Sequence, residues 1–319
     1  LPPPPVLYRP DVALLAGAAN AVRWIGQQSV ATSVRRNDER VQHDPAGTRR
    51  WWSRIEAQHL KYAGSGVGEP STQGRLGITQ IGHTWEMPHE AEFGAYATVG
   101  MARLDGSGYA RGQHQFAAGR LDLSATGVGS YARQTWSDGG WLGAVAQVQR
   151  TQLRARVDQT GSLSESRGWN WIALLEGGTL LALSETLTLE PFAQGSVQGV
   201  RLDSSSIPNA ALGFSPDTSW LLRGGARLQR TASLAASVWR PYLEAAYWHQ
   251  SRADDGVTYV TPATTTTLLH TFGGSGWSSQ IGARVDSGRW SSRASVSYWH
   301  GASGDARLMG GELLIRYAW

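Results

Sequence analysis

Along most of the chain, hydrophobic and polar residues alternate with a period of two. In Gly311 to Trp319 (GELLIRYAW), Leu313, Ile315, Tyr317 and Trp319 interleave with Glu312, Leu314, Arg316 and Ala318. A strand that puts one face into lipid and the other into a wet interior needs this pattern, with an aromatic ring where headgroups begin. Similar segments, separated by turn signals, lie at 50–62, 74–85, 92–104, 120–136, 141–156, 168–181, 185–201, 219–231, 238–250, 277–286, 290–300 and 308–319. The pattern predicts an all-β transmembrane barrel of about 12 antiparallel strands, an even number as in single-chain bacterial barrels.

The connections alternate in length. Short turns are expected near 86–91, 137–140, 182–184, 232–237 and 287–289, and longer loops at 63–73, 105–119, 157–167, 202–217, 251–276 and 301–307. Short periplasmic turns facing long external loops characterise membrane barrels, and the alternation puts both barrel termini on the periplasmic side. The Thr-rich stretch Thr261 to Thr267 in the longest loop fits either strands extended above the membrane or ordinary β-propensity at a hairpin.

The first fifty residues follow another rule. Residues 11–41 read as an α-helix closed by the breaker run His43 to Gly47. Its apolar positions are too sparse to span lipid, whereas small residues together with Arg35, Arg36, Asp38, Glu39 and Arg40 suit a helix inside a polar pore. The expected organisation is a linker at 1–10, a pore-threading helix at 11–46 and a barrel at 47–319. The Pro-rich opening without a signal peptide reads as the C-terminal part of something longer.

Composition narrows the class. No run approaches the ~18 apolar residues of a membrane-spanning helix, and Trp outnumbers Phe by 15 to 5, which favours interfacial girdles. The chain has no cysteine, which excludes disulfides, thiol nucleophiles and thiolate metal sites. The net charge of +4 comes almost wholly from arginine, Lys61 being the only lysine. Those arginines are scattered along alternating strands, which argues against a nucleic-acid partner.

Strand parity assigns faces. In 219–231, Leu222, Gly224, Ala226 and Leu228 should face lipid while Arg223 and Arg227 face inward. The same counting puts Glu176, Glu190, Gln194, Glu244, Arg284, Arg293 and Arg316 in the lumen, with Arg54 and Glu56 on the first strand. An arginine facing lipid at mid-bilayer costs ~2 to 4 kcal/mol. These groups either hold the helix and give a passing chain a hydrated wall, or pair with one another across the lumen.

Catalytic signals are weak. His249-Gln250-Ser251 has the His-x-Ser spacing of an outer-membrane phospholipase family, but Arg252-Ala253 stands where that family has Asn-Gly. His89-Glu90 is followed by Ala91-Glu92-Phe93, so no His-Glu-x-x-His motif forms, and neither a Gly-x-Ser-x-Gly elbow nor a phosphate loop occurs. No catalytic residue, metal ligand or cofactor is expected. A porin remains an alternative, disfavoured by the Pro-rich start and the pore-compatible helix.

Several stretches together resemble the translocator domain of autotransporters, the type V secretion class, in its pertactin and AIDA-like branch. Tyr8-Arg9-Pro10-Asp11-Val12 is similar to the Tyr-Arg-Pro-Glu-Val that opens the linker there, Asp38-Glu39-Arg40-Val41 to its His-Glu-Arg-Val, and Trp52-Ser53-Arg54 to its Trp-Gly-Arg, with Ser for Gly. Ser137 to Trp141, Leu174 to Gly178, Leu189 to Gln194 and Arg240 to Glu244 resemble later strand motifs in the family's order. The closing Leu313, Ile315, Tyr317 and Trp319 resemble the signal by which such barrels are recognised for assembly. The resemblance implies a monomeric outer-membrane barrel with the linker helix in its pore. It also implies export of an N-terminal passenger, with barrel-assembly machinery, periplasmic chaperones and outer-membrane lipid as partners. Some members cut their own linker at a pore-helix Asn. Alignment on Trp52-Ser53-Arg54 puts that position near Ser33, so no such cleavage is expected, and Asn20 is read as an ordinary polar residue near the outer mouth.

Overall fold

The computed structural model describes residues 8–31, 49–302 and 306–319. Twelve long antiparallel strands form one closed barrel. They are β1 (Arg49–Ala63), β2 (Ser71–Met87), β3 (Ala91–Ala110), β4 (Gln113–Thr135), β5 (Gly140–Val157), β6 (Leu163–Thr179), β7 (Leu187–Leu202), β8 (Ser219–Arg230), β9 (Ser237–Val260), β10 (Thr265–Ser287), β11 (Trp290–Gly301) and β12 (Ala306–Ala318). Each pairs with its sequence neighbour, and β12 returns to β1 in a register running from Arg50 opposite Ala318 to Tyr62 opposite Ala306. Along the membrane band, closure leaves no unpaired sheet edge among the described residues, which hydrocarbon would not tolerate.

Alternation determines which side chains go where. On β1, Trp52, Arg54, Glu56, Gln58, Leu60 and Tyr62 are buried while their sequence neighbours are exposed. The outer wall carries Ile55, Ile81, Met101, Val128, Leu222 and Ile281, all exposed, an apolar band that only lipid would cover. Near the chain end Trp51 stacks on Trp319 with centroids 6.2 Å apart, His83 meets Trp51 edge-on at 4.9 Å, and Trp290 packs on Tyr317 at 4.8 Å. These rings gather at the short-turn end of the barrel, where headgroups would lie.

The two ends differ. At the short-turn end the connections are tight, one of them a 3-10 turn at Pro88–Glu90. At the other end the strands overrun their expected limits. The segments 105–119 and 251–276, read above as loops, are mostly paired strand: β3 and β4 continue to Ala110 and Gln113, β9 and β10 to Val260 and Thr265. Bulges between Gly106 and Ser107 and between Gln250 and Ala253 mark where the extensions change course. The expected loop 202–217 holds a small hairpin, Ser205–Ile207 with Ala210–Ser215, whose second arm pairs with Gly256 to Val260 of β9. Ser65–Gly66 pairs with His270 and Thr271 of β10. The wall thus continues above the bilayer as a hairpin end.

Inside stand two helices, α1 (Pro10–Ala16) and α2 (Ala18–Val30), every residue of both buried. The expected single helix over 11–41 is broken at Gly17, whose side faces Thr72 so closely that a Cβ would lie 2.7 Å from the Thr72 methyl. Residues 35–40, including Arg35, Arg36, Asp38, Glu39 and Arg40, lie outside the described residues.

Candidate functional site

The barrel interior is the site, because every charged group assigned inward by parity converges there and a chain segment already occupies it. The helix runs down from the hairpin end: the Tyr8 carbonyl accepts the Arg111 N–H at 3.1 Å at the tip of the β3–β4 hairpin. Val12, Leu14, Leu15, Val22 and Ile25 then join one apolar cluster with wall residues such as Leu104, Leu121, Leu153 and Val157. Trp24 meets Tyr62 edge-on at 5.6 Å within the same cluster. This half of the pore is apolar, where the helix composition had suggested a polar one throughout. Small helix residues let the wall approach, and large aliphatic wall residues fill the space that remains.

Lower down, polar side chains of the wall grip the helix. Arg54 donates to the carbonyls of Gln28 and Ser29 at 3.3 Å each, and Gln80 to Ser29 at 3.0 Å. Asn170 donates to the Val22 carbonyl at 3.2 Å, and Gln198 to that of Arg23 at 3.1 Å. The last carbonyls of a helix lack intrahelical donors and carry the negative end of its dipole, which suits the Arg54 guanidinium and the Gln80 amide at Gln28 and Ser29, while Asn170 and Gln198 add second donors to the mid-helix carbonyls of Val22 and Arg23. Gly26 makes the approach possible, since a Cβ there would overlap the amides of both Asn170 and Gln198. Arg23, fully buried, reaches out from the helix to both carboxylate oxygens of Asp255 at 2.5 Å and to the Asp217 carbonyl at 2.5 Å.

The predicted lumen residues lie in three groups. Arg54 pairs with Glu56 and, at 2.6 Å, with Glu312, which also takes Arg293 at 2.6 Å. Glu244 takes Arg223 at 2.6 Å and Arg227 at 3.1 Å, and Glu190 lies 3.7 Å from Arg227. Arg284 pairs with Asp286 at 2.7 Å, which also takes Arg240. Arg316 is buried near Arg284 and Arg293, while Glu176 and Gln194 face each other across β6 and β7, both buried. Of the two roles left open, Arg54 fills both: it holds the helix and belongs to the wall network. Beside the charges, Trp52, Tyr96, Tyr131 and Trp141 form an aromatic wall, with the Trp52 ring N–H donating to the Tyr131 hydroxyl at 3.1 Å.

The remaining candidates lie elsewhere. Leu313, Ile315 and Trp319 are exposed on the outer face of β12, with Tyr317 partly exposed beside them. His249 faces outward against Trp220 at 5.3 Å, and the Ser251 hydroxyl accepts the Trp220 N–H at 3.0 Å. Asn20 is buried, and its amide atoms have no hydrogen-bond partner among the described residues.

A family model for the autotransporter beta-domain matches residues 51–299, most of the barrel. The chain belongs to that family. Solved structures with the same fold include the transport unit of the autotransporter AIDA-I from Escherichia coli (TM-score 0.68, 16% identity, covering 98% of this chain and 100% of that one). The translocator domain of NalP from Neisseria meningitidis is similar at a TM-score of 0.66 and 16% identity, covering 97% and 99%. The beta domain of the Bordetella autotransporter BrkA has a TM-score of 0.60 at 17% identity, covering 86% and 99%. The barrel is therefore an outer-membrane translocator domain. The neutral clamp of Gln80, Asn170 and Gln198, which a search for charges overlooks, could be read from the same parity that places Arg54.

Proposed function

We propose that this translocator exports an N-terminal passenger through its own lumen and ends with the helix lodged there, the hairpin end facing outside and the short-turn end facing the periplasm. The observation that carries this is the path of the chain, which enters at the hairpin end, descends as α1 and α2 and is gripped along its carbonyls by Arg54, Gln80, Asn170 and Gln198. In this reading Glu176, Glu190, Gln194, Arg223, Arg227, Glu244, Arg284, Arg293 and Arg316 keep the lower lumen hydrated, so that an extended chain slides without adhering. Leu313, Ile315, Tyr317 and Trp319 serve as the strand recognised by barrel-assembly machinery after chaperoned passage through the periplasm. The domain works as a monomer and performs no catalysis of its own. Planar-bilayer conductance of the refolded domain with and without residues 1–47 tests it. A small or flickering conductance that becomes large on deletion is the expected result; an intact chain that already conducts like an open channel would replace this reading with that of a porin.

A further inference from the structure

Basic residues crowd one side of the outer wall and not the other. On β1 to β6 the cross-strand rows can be followed upward from the apolar band. In the first row Ala57, Gly77 and Met101 lie side by side on the lipid face, and Gly311 of β12 continues the row beyond Ala57. One row higher, Arg75 stands beside Arg103, Arg103 beside Asp122 and Asp122 beside Arg154. Higher again come Lys61, Arg120 and Arg156, with Asp105 beside Arg120 and paired with it at 2.9 Å. Two residues of strand separate successive rows, roughly 7 Å, so hydrocarbon gives way to cationic surface within one headgroup's depth. On the opposite wall, Trp220, Tyr247 and Trp277 are exposed, and above them Arg252 stands next to Asp254, whose carboxylate accepts the Thr271 hydroxyl at 2.6 Å.

The basic rows border a groove of about 630 Å³ lined by Arg75, Arg103, Arg154, Asp122, Met101 and Gly77 among others. Its lower end is a trough, because Ala57, Gly77 and Gly311 project almost nothing; a Cβ on Gly77 would meet only a backbone oxygen at 3.9 Å. Its upper end presents three guanidinium groups against two carboxylates, Asp122 and, beside Arg154, Glu165. Arg103 to Asp122 and Arg154 to Glu165 are ion pairs of 3.0 Å with well-exposed partners, a kind of pair that contributes little and leaves guanidinium edges open to another acceptor. Arg75 has no carboxylate within ion-pair distance among the described residues.

We propose that this groove binds a phosphorylated, acylated glycolipid of the outer leaflet, with phosphate held by Arg75, Arg103 and Arg154 and an acyl chain laid in the trough over Ala57 and Gly77. Guanidinium suits phosphate because two parallel N–H donors match two oxygens. The cationic face and the apolar trough adjoin in the order that a lipid presents its headgroup and its tail. The lipid would fasten one side of the barrel, β1 to β6, at the boundary where its strands leave the membrane.

The test uses the full chain refolded into phosphatidylcholine nanodiscs, with diphosphoryl hexa-acyl lipid A as the probe and bound lipid counted by native mass spectrometry; heat-modifiable gel migration reports folding separately. Saturation at one lipid A per barrel is expected, with affinity at least tenfold lower for dephosphorylated lipid A and for the triple variant R75Q/R103Q/R154Q. R252Q on the opposite wall should leave affinity unchanged, and Gly77→Leu, which fills the trough and leaves every arginine in place, should weaken it severalfold. Equal binding of the phosphorylated and dephosphorylated lipid, or full affinity in the triple variant, would overturn the site. Competition by free pyrophosphate at the same concentration as lipid A would overturn the lipid assignment in favour of a soluble anion. Should the triple variant not fold, the dephosphorylated probe and Gly77→Leu decide.

Discussion

The upper and lower halves of the lumen hold the same helix by different physics. Near the hairpin end the helix is sealed by packing, with Leu14 and Leu15 against Leu104, Leu121 and Leu153, and locked by one dry ion pair from Arg23 to Asp255. Toward the short-turn end the wall is a buried network of carboxylates and arginines, and the helix is held mainly through its carbonyls. In the proposed reading the packed half is the seal and the charged half is the wall along which a chain slides.

The comparison can be broken by unequal variants. Asp255→Ala should have the largest effect, about 3 kcal/mol off the denaturant-derived stability, because it strands the buried Arg23 guanidinium in a low-dielectric seal. It should also raise planar-bilayer conductance. Leu14→Ala comes next, at about 2.5 kcal/mol from lost burial and the cavity left behind, with a conductance increase smaller than that of Asp255→Ala. Glu244→Ala removes the shared, buried partner of Arg223 and Arg227, yet the Ser278 hydroxyl beside Arg223 and Glu190 beside Arg227 should limit the loss to about 2 kcal/mol with closed-state conductance unchanged. A larger loss from Glu244→Ala than from Asp255→Ala would show that the lower network, not the Arg23 ion pair, is the main lock.

Smaller effects sharpen the contrast. Gln80→Ala deletes one donor to Ser29, for about 1 kcal/mol, and hydrogen exchange at the lower end of α2 should quicken before any upper amide does. The least effect comes from pH. His270 is fully buried on the β10 extension above the membrane beside Asp255, and burial holds its imidazole below the ordinary histidine range. The folded state therefore favours the neutral ring. Its contribution is complete above the unfolded value of about 6.5 and declines as pH falls through it. Urea midpoints at pH 8 and pH 5 should differ less for His270→Leu than for the parent.

The strands were legible because lipid on one side and water on the other force a strict period of two, as on β1 from Arg50 to Tyr62. Above the membrane that constraint lapses. Asp105-Gly106-Ser107-Gly108 and Asp254-Asp255-Gly256 carry the composition of turns and nevertheless pair as strands, because neighbouring extensions supply the hydrogen bonds. The inward charges were equally legible, and their partners were not. Arg23 and Asp255 are separated by 232 positions in sequence. Parity on a strand says nothing about which helix residue will stand opposite, and Asp255 lay in a segment read as loop.

Toward the lower end of α2 most of the wall's donors address the main chain. Asn170, Gln198, Gln80 and Arg54 reach carbonyls at Val22, Arg23, Gln28 and Ser29, groups that every residue carries. Such main-chain bonds do not discriminate among side chains. Away from Arg23, whose guanidinium is matched by Asp255, substitutions along α2 are constrained by bulk, as at Gly26, more than by chemical identity, so much of the threaded sequence can drift without the gate having to learn a new alphabet.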